Sequence, residues 1–271
     1  MKRILVFAGT SEGRTFAEKV LSLGFFVTLS VATEYGKEVV GEKLLCRPVA
    51  DRLSLRVGRL SVDEMARLAA DFDAVVDATH PFAVEVTDNI KKACASVKKP
   101  YFRLARSVAV GNSGGNPSDF YEFNTMEEIA DFIVRTDAEL DDFSRRIFVS
   151  TGAKELSPFT RICDFKSRVF VRVLPSAESI RKCEAHGFSK SRIIAMQGPF
   201  SAALNEAMFR ETGAGILVTK MSGRNGGFCE KIAAAEKCGM TVLALRPPEE
   251  TDAFSDMDGL LSVILGMKSS L

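Results

Sequence analysis

The sequence contains few of the residues that build metal sites or disulfide frameworks. It has only two histidines among 271 residues, and its six cysteines are scattered without a C-x-x-C pair. The sequence therefore indicates neither a zinc site nor a set of disulfides. We expect the cysteines to be reduced and mostly buried in the core.

The chain also lacks long hydrophobic runs and an excess of charge of either sign. No run of about eighteen apolar residues occurs, which excludes a transmembrane helix. Lysine and arginine total 36 against 35 aspartates and glutamates, for a net charge of +1. This balance argues against binding to nucleic acid or an anionic membrane, so local charges must meet any anionic ligand. The apolar run at 4–8 is too short for a signal peptide, and we expect a cytoplasmic protein.

Two common catalytic motifs are absent. The sequence has no G-x-S-x-G nucleophile elbow and no G-x-x-x-x-G-K-[ST] phosphate-binding loop. Nucleophilic hydrolysis and a P-loop NTPase are therefore poorly supported. The glycine loop at 9–13 also departs from G-x-G-x-x-G, so by itself it is equally well explained as a simple turn from strand to helix.

Short β-branched runs alternate with helical patterns along most of the chain, which is typical of parallel sheets. We predict strands at 4–8, 26–31, 44–49, 74–78, 101–104, 146–150, 168–174, 192–197, 215–220 and 240–246. We predict helices at 12–23, 61–71, 82–97, 125–136, 176–186, 200–211, 226–238 and 255–266.

A segment rich in Gly, Asn and Pro at 110–118 interrupts this alternation and predicts a domain boundary. We place an N-terminal domain at 1–112 and a C-terminal domain at 113–271. The sequence thus predicts an α/β protein of two Rossmann-like domains, each with a mostly parallel sheet of about five strands flanked by helices. We expect a ligand cleft between them.

Ligands of parallel sheets collect at the carboxyl ends of the strands, so the residues that follow each strand are candidates. Gly9 permits a tight turn, Ser11 could cap the next helix, and the N–H groups of that helix start attract a phosphate. The second strand has a hydroxyl-rich end, and with a basic residue such as Lys37 nearby it would tolerate a 2′-phosphate. Glu34 would instead accept from a 2′-hydroxyl, so NADPH and NADH both remain open.

Further candidates follow later strands. His80 comes directly after the strand at 74–78, although a lone histidine is more often structural. Arg103 and Arg106 suit carboxylates or phosphates, although solvated arginines are common. In the second half, polar loops with glycine follow three strands at 150–155, 197–201 and 219–223. Lys220 is a candidate anion contact there, whereas Ser201 is equally a helix cap.

Four segments taken together resemble the precorrin-6A reductase family of cobalamin (vitamin B12) biosynthesis, which includes the cobalt-precorrin-6A reductases. They are Ile-Leu-Val-Phe-Ala-Gly-Thr-Ser-Glu-Gly at 4–13, Val-Val-Asp-Ala-Thr-His-Pro-Phe-Ala at 75–83, Gln-Gly-Pro-Phe-Ser at 197–201 and Val-Thr-Lys-Met-Ser-Gly at 218–223. The second is the most specific. The chain departs from the family pattern at Ala8 and Gly13, where Gly and Ala are common, and at Met221, where Asn is common.

The resemblance implies reduction of one ring double bond of a tetrapyrrole, precorrin-6A or its cobalt form, by hydride from NADPH or NADH. It implies no protein-bound metal, because any cobalt belongs to the substrate. The implied cofactor residues are Gly9, Thr10, Ser11 and Glu12, then Ser30 and Thr33 near the adenosine ribose, and Thr79, His80 and Pro81. The implied substrate residues are Arg103, Thr151, Gly152, Gly198, Pro199, Phe200, Lys220, Ser222 and Arg224. Lys220 and His80 are the candidate proton donors, with anchoring as their alternative role.

Two other functions remain open at this stage. One is a nucleotide-sugar or other small-molecule transferase with two facing Rossmann-like domains, which would not consume reduced nicotinamide. The other is a non-catalytic nucleotide-sensing module, which would bind a dinucleotide but no tetrapyrrole. Analogy of fold alone supports both, whereas several motifs support the reductase.

Overall fold

The computed structural model of this chain describes residues 2–9, 11–32, 50–105, 119–222, 227–250 and 252–267. The chain forms two compact units. The first unit combines Met1–Ser107 with Pro248–Leu271, and the second is Val108–Pro247.

Strands and helices alternate along most of the described chain, as the sequence predicts, although the strands Leu53–Val57, Phe120–Phe123 and Ala253–Phe254 and the short helix Phe165–Arg168 were not predicted. The strands are β1 (Arg3–Ala8), β2 (Phe26–Val31), β3 (Leu53–Val57), β4 (Ala74–Ala78), β5 (Tyr101–Leu104), β6 (Phe120–Phe123), β7 (Arg146–Val149), β8 (Val169–Val173), β9 (Ile193–Ala195), β10 (Ala214–Lys220), β11 (Thr241–Leu245) and β12 (Ala253–Phe254). The helices are α1 (Ser11–Ser22), α2 (Val62–Ala69), α3 (Val84–Ser96), α4 (Met126–Leu140), α5 (Phe165–Arg168), α6 (Ala177–Ala185), α7 (Ala202–Thr212), α8 (Phe228–Lys237) and α9 (Met257–Gly266).

Each unit is built on one parallel sheet. The first sheet has the order β12-β5-β4-β1-β2-β3, and the second has the order β6-β11-β10-β7-β8-β9. All paired strands within them run parallel. The predicted fold class is confirmed, and the described part of the chain has six strands in each sheet rather than about five. In each sheet the carboxyl ends of the strands therefore lie at one edge.

The central strands are buried on both faces. In β1, Ile4 and Val6 pack in one hydrophobic cluster together with α1, whereas Leu5 and Phe7 pack in a second cluster with α2 and α3. Side chains alternate between the two faces of a strand, so a strand covered by helices on both sides is apolar throughout. This explains why the run at 4–8 is a recognisable strand signal.

The strands that the sequence did not predict all lie at the edges of the sheets. They are β3, β6 and β12. In β3, buried Leu53 is followed by alternately exposed positions, and such a strand lacks a continuous apolar run. The strand predicted at 44–49 and the boundary at 112/113 lie outside the described residues.

The end of the chain corrects the predicted domain limits. β12 pairs with β5, with Ala253 opposite Arg103 and Phe254 opposite Leu104. Side chains of α9 pack in the same cluster as β1 and α1. The predicted second domain of 113–271 is therefore wrong at its end, because residues from Pro248 onward belong to the first unit. A strand of two residues is too short to show periodicity.

Two smaller expectations can also be compared with the structure. No helix in the described part of the chain is long and apolar enough to cross a membrane. Of the five cysteines described, all are free, but only Cys94 and Cys183 are buried. The expectation that most cysteines lie in the core is therefore wrong, because exposed helix and loop positions carry others.

The close approach of α1 to the sheet depends on Gly13. A Cβ at this position would lie 3.0 Å from the Ala78 Cβ and 3.2 Å from the Ala8 Cβ. Real Cβ atoms rarely approach each other this closely, so one of the three atoms would have to move. The methyl groups of Ala8 and Ala78 thus occupy the space that a side chain at position 13 would need.

We predict that Gly13→Ala lowers the free energy of unfolding. Overpacking should cost about 1–3 kcal/mol, which outweighs a gain of about 1 kcal/mol in helix propensity. Urea unfolding measures the difference. The control is Gly266→Ala in α9, where a Cβ meets nothing within 4 Å and stability should not fall. Adding Ala8→Gly should recover part of the loss; a Gly13→Ala variant as stable as the parent would contradict the packing argument.

Candidate active site

The carboxyl edge of the first sheet brings two predicted cofactor segments together. β1 and β4 are neighbours, with Ala8 opposite Ala78. The Gly9 N–H donates to the Ala78 carbonyl oxygen at 3.3 Å. A Cβ on Gly9 would lie 3.4 Å from both the His80 nitrogen and the Thr79 Cα. The turn after β1 and the turn after β4 are therefore in contact.

The start of α1 carries an acidic group. Ser11 is the first residue of α1 rather than its cap, and its Oγ donates to Glu12 Oε2 at 3.1 Å. A carboxylate at a helix N-terminus is favoured by the helix dipole. A phosphate bound at the same end would meet this negative charge, so Glu12 is better suited to a ribose hydroxyl. Thr10 and Thr33 lie outside the described residues, and Ser30 is buried in β2.

A buried carboxylate organises the end of β4. The Asp77 side chain is 0% exposed. It accepts hydrogen bonds from Thr79 N at 2.9 Å, Thr79 Oγ1 at 2.7 Å and Thr87 Oγ1 at 2.8 Å. It also accepts from the Tyr101 hydroxyl at 3.1 Å and from Arg103 Nη1 at 2.9 Å. Asp77 thereby joins the turn after β4 to α3 and to β5.

Arg103 is a correction to the predicted substrate site. Its side chain is 3% exposed, and Nη1 donates to the Thr79 carbonyl oxygen at 3.0 Å as well as to Asp77. Nε and Nη2 donate to Glu250 Oε2 and Oε1 at 2.8 and 2.7 Å, a bidentate pair. Its guanidinium group is buried between two carboxylates of its own chain. The geometry therefore gives Arg103 a structural role instead of a contact with substrate.

The same network holds the Tyr101 hydroxyl in its neutral form. Burial, followed by the negative charge of Asp77, raises the pKa of Tyr101 well above its usual value. Burial opposes the charged form of Arg103, but the hydrogen bond to Glu250 and the charge of Asp77 outweigh it and raise the Arg103 pKa. Tyr101 therefore remains a hydrogen-bond donor, and Arg103 remains charged.

His80 lies in the turn between β4 and α3. Its Nδ1 accepts from the Phe82 N–H at 3.3 Å, and the two rings are tilted with centroids 5.7 Å apart. When the ring is neutral, an accepting Nδ1 leaves the proton on Nε2. The Ala83 N–H donates to the His80 carbonyl oxygen at 2.8 Å. Pro81 therefore lies inside this turn, and α3 begins only at Val84.

In the second unit, Lys220 lies at the end of β10 beside the loop that follows β7. Its Nζ is 2.5 Å from Glu155 Oε2. The Ser150 N–H and Oγ donate to the Val218 carbonyl oxygen at 2.9 and 3.1 Å. The structure thus brings together two loops that the sequence analysis selected, and it supplies Lys220 with a carboxylate partner.

The neighbouring loop residues have special geometry. Gly152 has a φ of +88°, which favours glycine. Thr151 Oγ1 is buried, with no hydrogen-bond partner among the described residues. The Ser222 N–H donates to the Lys220 carbonyl oxygen at 2.9 Å. Arg224 lies outside the described residues.

The segment from Gly198 to Ser201 follows β9. The Gly198–Pro199 peptide bond is cis, and a Cβ on Gly198 would lie 3.1 Å from the Phe200 ring. Ser201 Oγ accepts from the Leu204 N–H at 3.2 Å, so Ser201 caps α7. The Phe200 ring lies 4.2 Å from Arg172 Cζ.

The sequence analysis missed several residues that shape these edges. Glu250 was not selected because it precedes a strand too short to recognise. Arg172 and Lys231 were missed although both are buried cations. The available signal was a charged residue within an apolar strand or on the apolar face of a helix, since such residues are rarely buried without a function or a partner.

We predict that Arg103→Met destabilises the first unit strongly. The change leaves Asp77 without its cation and should lower the free energy of unfolding by about 3–5 kcal/mol. Glu250→Gln should cost about 1–2 kcal/mol, because Asp77 still pairs with Arg103. Urea unfolding is the measurement.

The control for this prediction is Lys19→Met, which breaks an exposed ion pair with Asp258 at 2.6 Å. Such a pair contributes no more than about 1 kcal/mol. If Arg103→Met is as stable as the parent but binds substrate more weakly, the structural role is wrong and Arg103 is a substrate contact.

Comparisons with known proteins agree with the resemblance. A family model described as precorrin-6x reductase CbiJ/CobK matches residues 3–265. The cobalt-precorrin-6A reductase of Methanothermobacter thermautotrophicus is 34% identical over 269 residues, covering 97% of this chain and 83% of the relative. The corresponding protein of Salmonella typhimurium is 30% identical over 247 residues, covering 90% and 87%.

Two further comparisons extend this result. The precorrin-6A reductase of Rhodococcus erythropolis is 29% identical over 268 residues, covering 97% of this chain and 96% of the relative. A solved structure titled CobK precorrin-6A reductase has a TM-score of 0.70 at 20% identity, covering 98% of this chain and 97% of that one. The structural similarity shows a shared fold, and the sequence match shows that this chain belongs to the precorrin-6x reductase family.

Proposed function

We propose that this protein reduces one ring double bond of precorrin-6A or cobalt-precorrin-6A to the corresponding precorrin-6B, with hydride from NADPH or NADH, in cobalamin biosynthesis. The observation that carries the proposal is the family match over residues 3–265. Relatives of both names, with and without cobalt, align along nearly the whole chain. Any cobalt enters with the substrate.

The first unit offers residues that suit a nicotinamide dinucleotide. The turn after β1, with Gly9, lies against the turn that carries His80, and the N–H groups at the start of α1 attract a phosphate. The Glu12 carboxylate suits a ribose hydroxyl, with Ser30, Thr79 and Pro81 as further cofactor residues from the sequence analysis. The dinucleotide supplies the hydride when bound.

The protein's own contribution is to orient the ligands and to control charge around them. The Asp77 network holds Thr79, which directly precedes His80 in the turn after β4. The carbon that accepts the hydride belongs, in our proposal, to a conjugated imine that is already polarised. A proton must still be added to complete the reduction, and it comes from solvent, Lys220 or Nε2 of His80.

The second unit offers the proposed substrate contacts. Thr151 and Gly152 follow β7, Lys220 and Ser222 follow β10, and the Gly198–Ser201 segment follows β9. Parallel strands put all three loops at one edge of the sheet. The Lys220 ammonium group, now paired with Glu155, would exchange this partner for a carboxylate of the substrate.

The decisive test mixes the protein with NADPH or NADH and with precorrin-6A or its cobalt form. We expect nicotinamide absorbance to fall in proportion to a shift in the tetrapyrrole spectrum. The most active of the four combinations identifies the preferred cofactor and metal state. Folded protein that is silent in all four would overturn the proposal and favour a transferase or a nucleotide sensor.

We predict that Lys220→Ala raises the KM for the tetrapyrrole and leaves kcat nearly unchanged. Loss of one charge-assisted hydrogen bond should raise KM about tenfold. Steady-state kinetics with saturating dinucleotide measure both constants. Lys182→Ala, which removes an exposed lysine of α6, should change neither. A fall in kcat at constant KM would instead assign Lys220 to proton transfer.

A further inference from the structure

A buried arginine lies near the carboxyl end of β8. Arg172 is 7% exposed. Its Nη1 donates to Asn205 Oδ1 at 2.8 Å, and its Cζ lies 4.2 Å from the Phe200 ring centroid and 5.3 Å from that of Phe148. Asn205 Nδ2 in turn donates to the Ser201 carbonyl oxygen at 2.9 Å. The guanidinium group is thus held between the sheet and the first turn of α7.

A buried hydroxyl group lies on the same face of this sheet. Three neighbouring strands carry residues directly opposite one another, namely Phe170 on β8, Phe148 on β7 and Leu217 on β10. Arg172 lies two residues after Phe170, and Thr219 lies two residues after Leu217. Their side chains therefore point to the same face of the sheet at the same level. Thr219 is 0% exposed, and its Oγ1 has no hydrogen-bond partner in the described part of the chain.

α8 adds a buried lysine over this position. Phe228, three residues before Lys231, packs with Ala244, which is opposite Thr219. Ala234, three residues after it, packs in the cluster that contains Leu217. Residues three apart share one side of a helix. Lys231, which is 7% exposed, therefore lies above the part of the sheet that carries Thr219.

The two cations have no carboxylate partner among the described residues. Neither Arg172 nor Lys231 forms an ion pair there within 4.0 Å. Glu230 is the nearby acidic group that favours the charged lysine, yet its own Oε2 is buried without a described hydrogen-bond partner. Burial, followed by the charge of Arg172, lowers the pKa of Lys231 to about 7. Two buried cations that repel each other are costly unless an anion joins them.

We propose that Arg172, Lys231 and Thr219 bind one oxyanion of a ligand. The two cations neutralise its charge, and the Thr219 hydroxyl donates to one of its oxygens. A substrate carboxylate and a dinucleotide phosphate share this chemistry, and the choice between these two sources rests on the proposed function. The site is separate from the Lys220–Glu155 pair, since Thr219 and Lys220 are consecutive in β10 and their side chains point to opposite faces of the sheet.

The stability of two variants tests the site without any assumption about the reaction. Lys231→Met removes a buried charge, and Thr219→Val replaces an unpartnered hydroxyl with a methyl group of similar shape. Both should raise the melting temperature of the ligand-free protein. Inorganic phosphate should raise the melting temperature of the parent relative to sodium chloride of equal ionic strength. The rise should be much smaller in either variant.

Affinity measurements then identify the source of the oxyanion. The KM for the tetrapyrrole and the Kd for NADPH, the latter from its fluorescence, are measured for the same proteins. We expect one of these constants to rise at least about tenfold in Lys231→Met, because the variant loses one charge-assisted hydrogen bond to the ligand. A rise in the tetrapyrrole KM indicates a carboxylate, and a rise in the NADPH Kd indicates a phosphate.

Lys237→Met is the matched control, because Lys237 is an exposed lysine of the same helix, paired with Glu206 at 3.6 Å. It should behave like the parent in every measurement. The proposal is overturned if Lys231→Met and Thr219→Val both keep the parent's rise in melting temperature with phosphate and the parent's ligand affinities. If the parent itself oxidises no reduced nicotinamide, the proposed function fails, while the phosphate and NADPH measurements still decide whether the oxyanion site exists.

Discussion

One buried carboxylate, Asp77, links three distant parts of the first unit. It fixes the turn after β4 through Thr79, binds Arg103 of β5, and through Arg103 reaches Glu250 near the end of the chain. A charge inside a protein is costly unless it is paired and hydrogen-bonded. The return of the C-terminal segment to the first sheet and the position of the His80 turn therefore depend on the same set of contacts.

The two units handle buried positive charge differently. In the first, Arg103 is neutralised by two carboxylates of its own chain. In the second, Arg172 stacks on Phe200 and bonds a neutral amide, and Lys231 lies nearby. A chain with a net charge of +1 can still carry local positive charge without a carboxylate partner among the described residues, because the placement of its charges matters more than their sum.

The predictability of each strand follows from its place in the sheet. β1 and β4 are covered on both faces, so each of their buried side chains must be apolar or fully hydrogen-bonded. The resulting apolar run makes these strands easy to recognise in the sequence. Edge strands such as β3 and β12 need no such run, and both were missed. The sequence analysis placed Arg103 in the substrate site because an arginine at a strand end is compatible with ligand binding. Only the position of Glu250, which follows from the fold, shows that the Arg103 guanidinium group already has carboxylate partners.

By itself the sequence determined the α/β class, the central strands, the longer helices and the family, because these depend on periodicity and on short motifs that are local in the chain. Only the tertiary structure decided which sheet the C-terminal segment joins and which buried charges are neutralised. Those outcomes depend on contacts such as Arg103–Glu250 and Arg172–Asn205, which join residues far apart in sequence. A local pattern can indicate that a charge is buried, but the partner of that charge is a property of the folded chain.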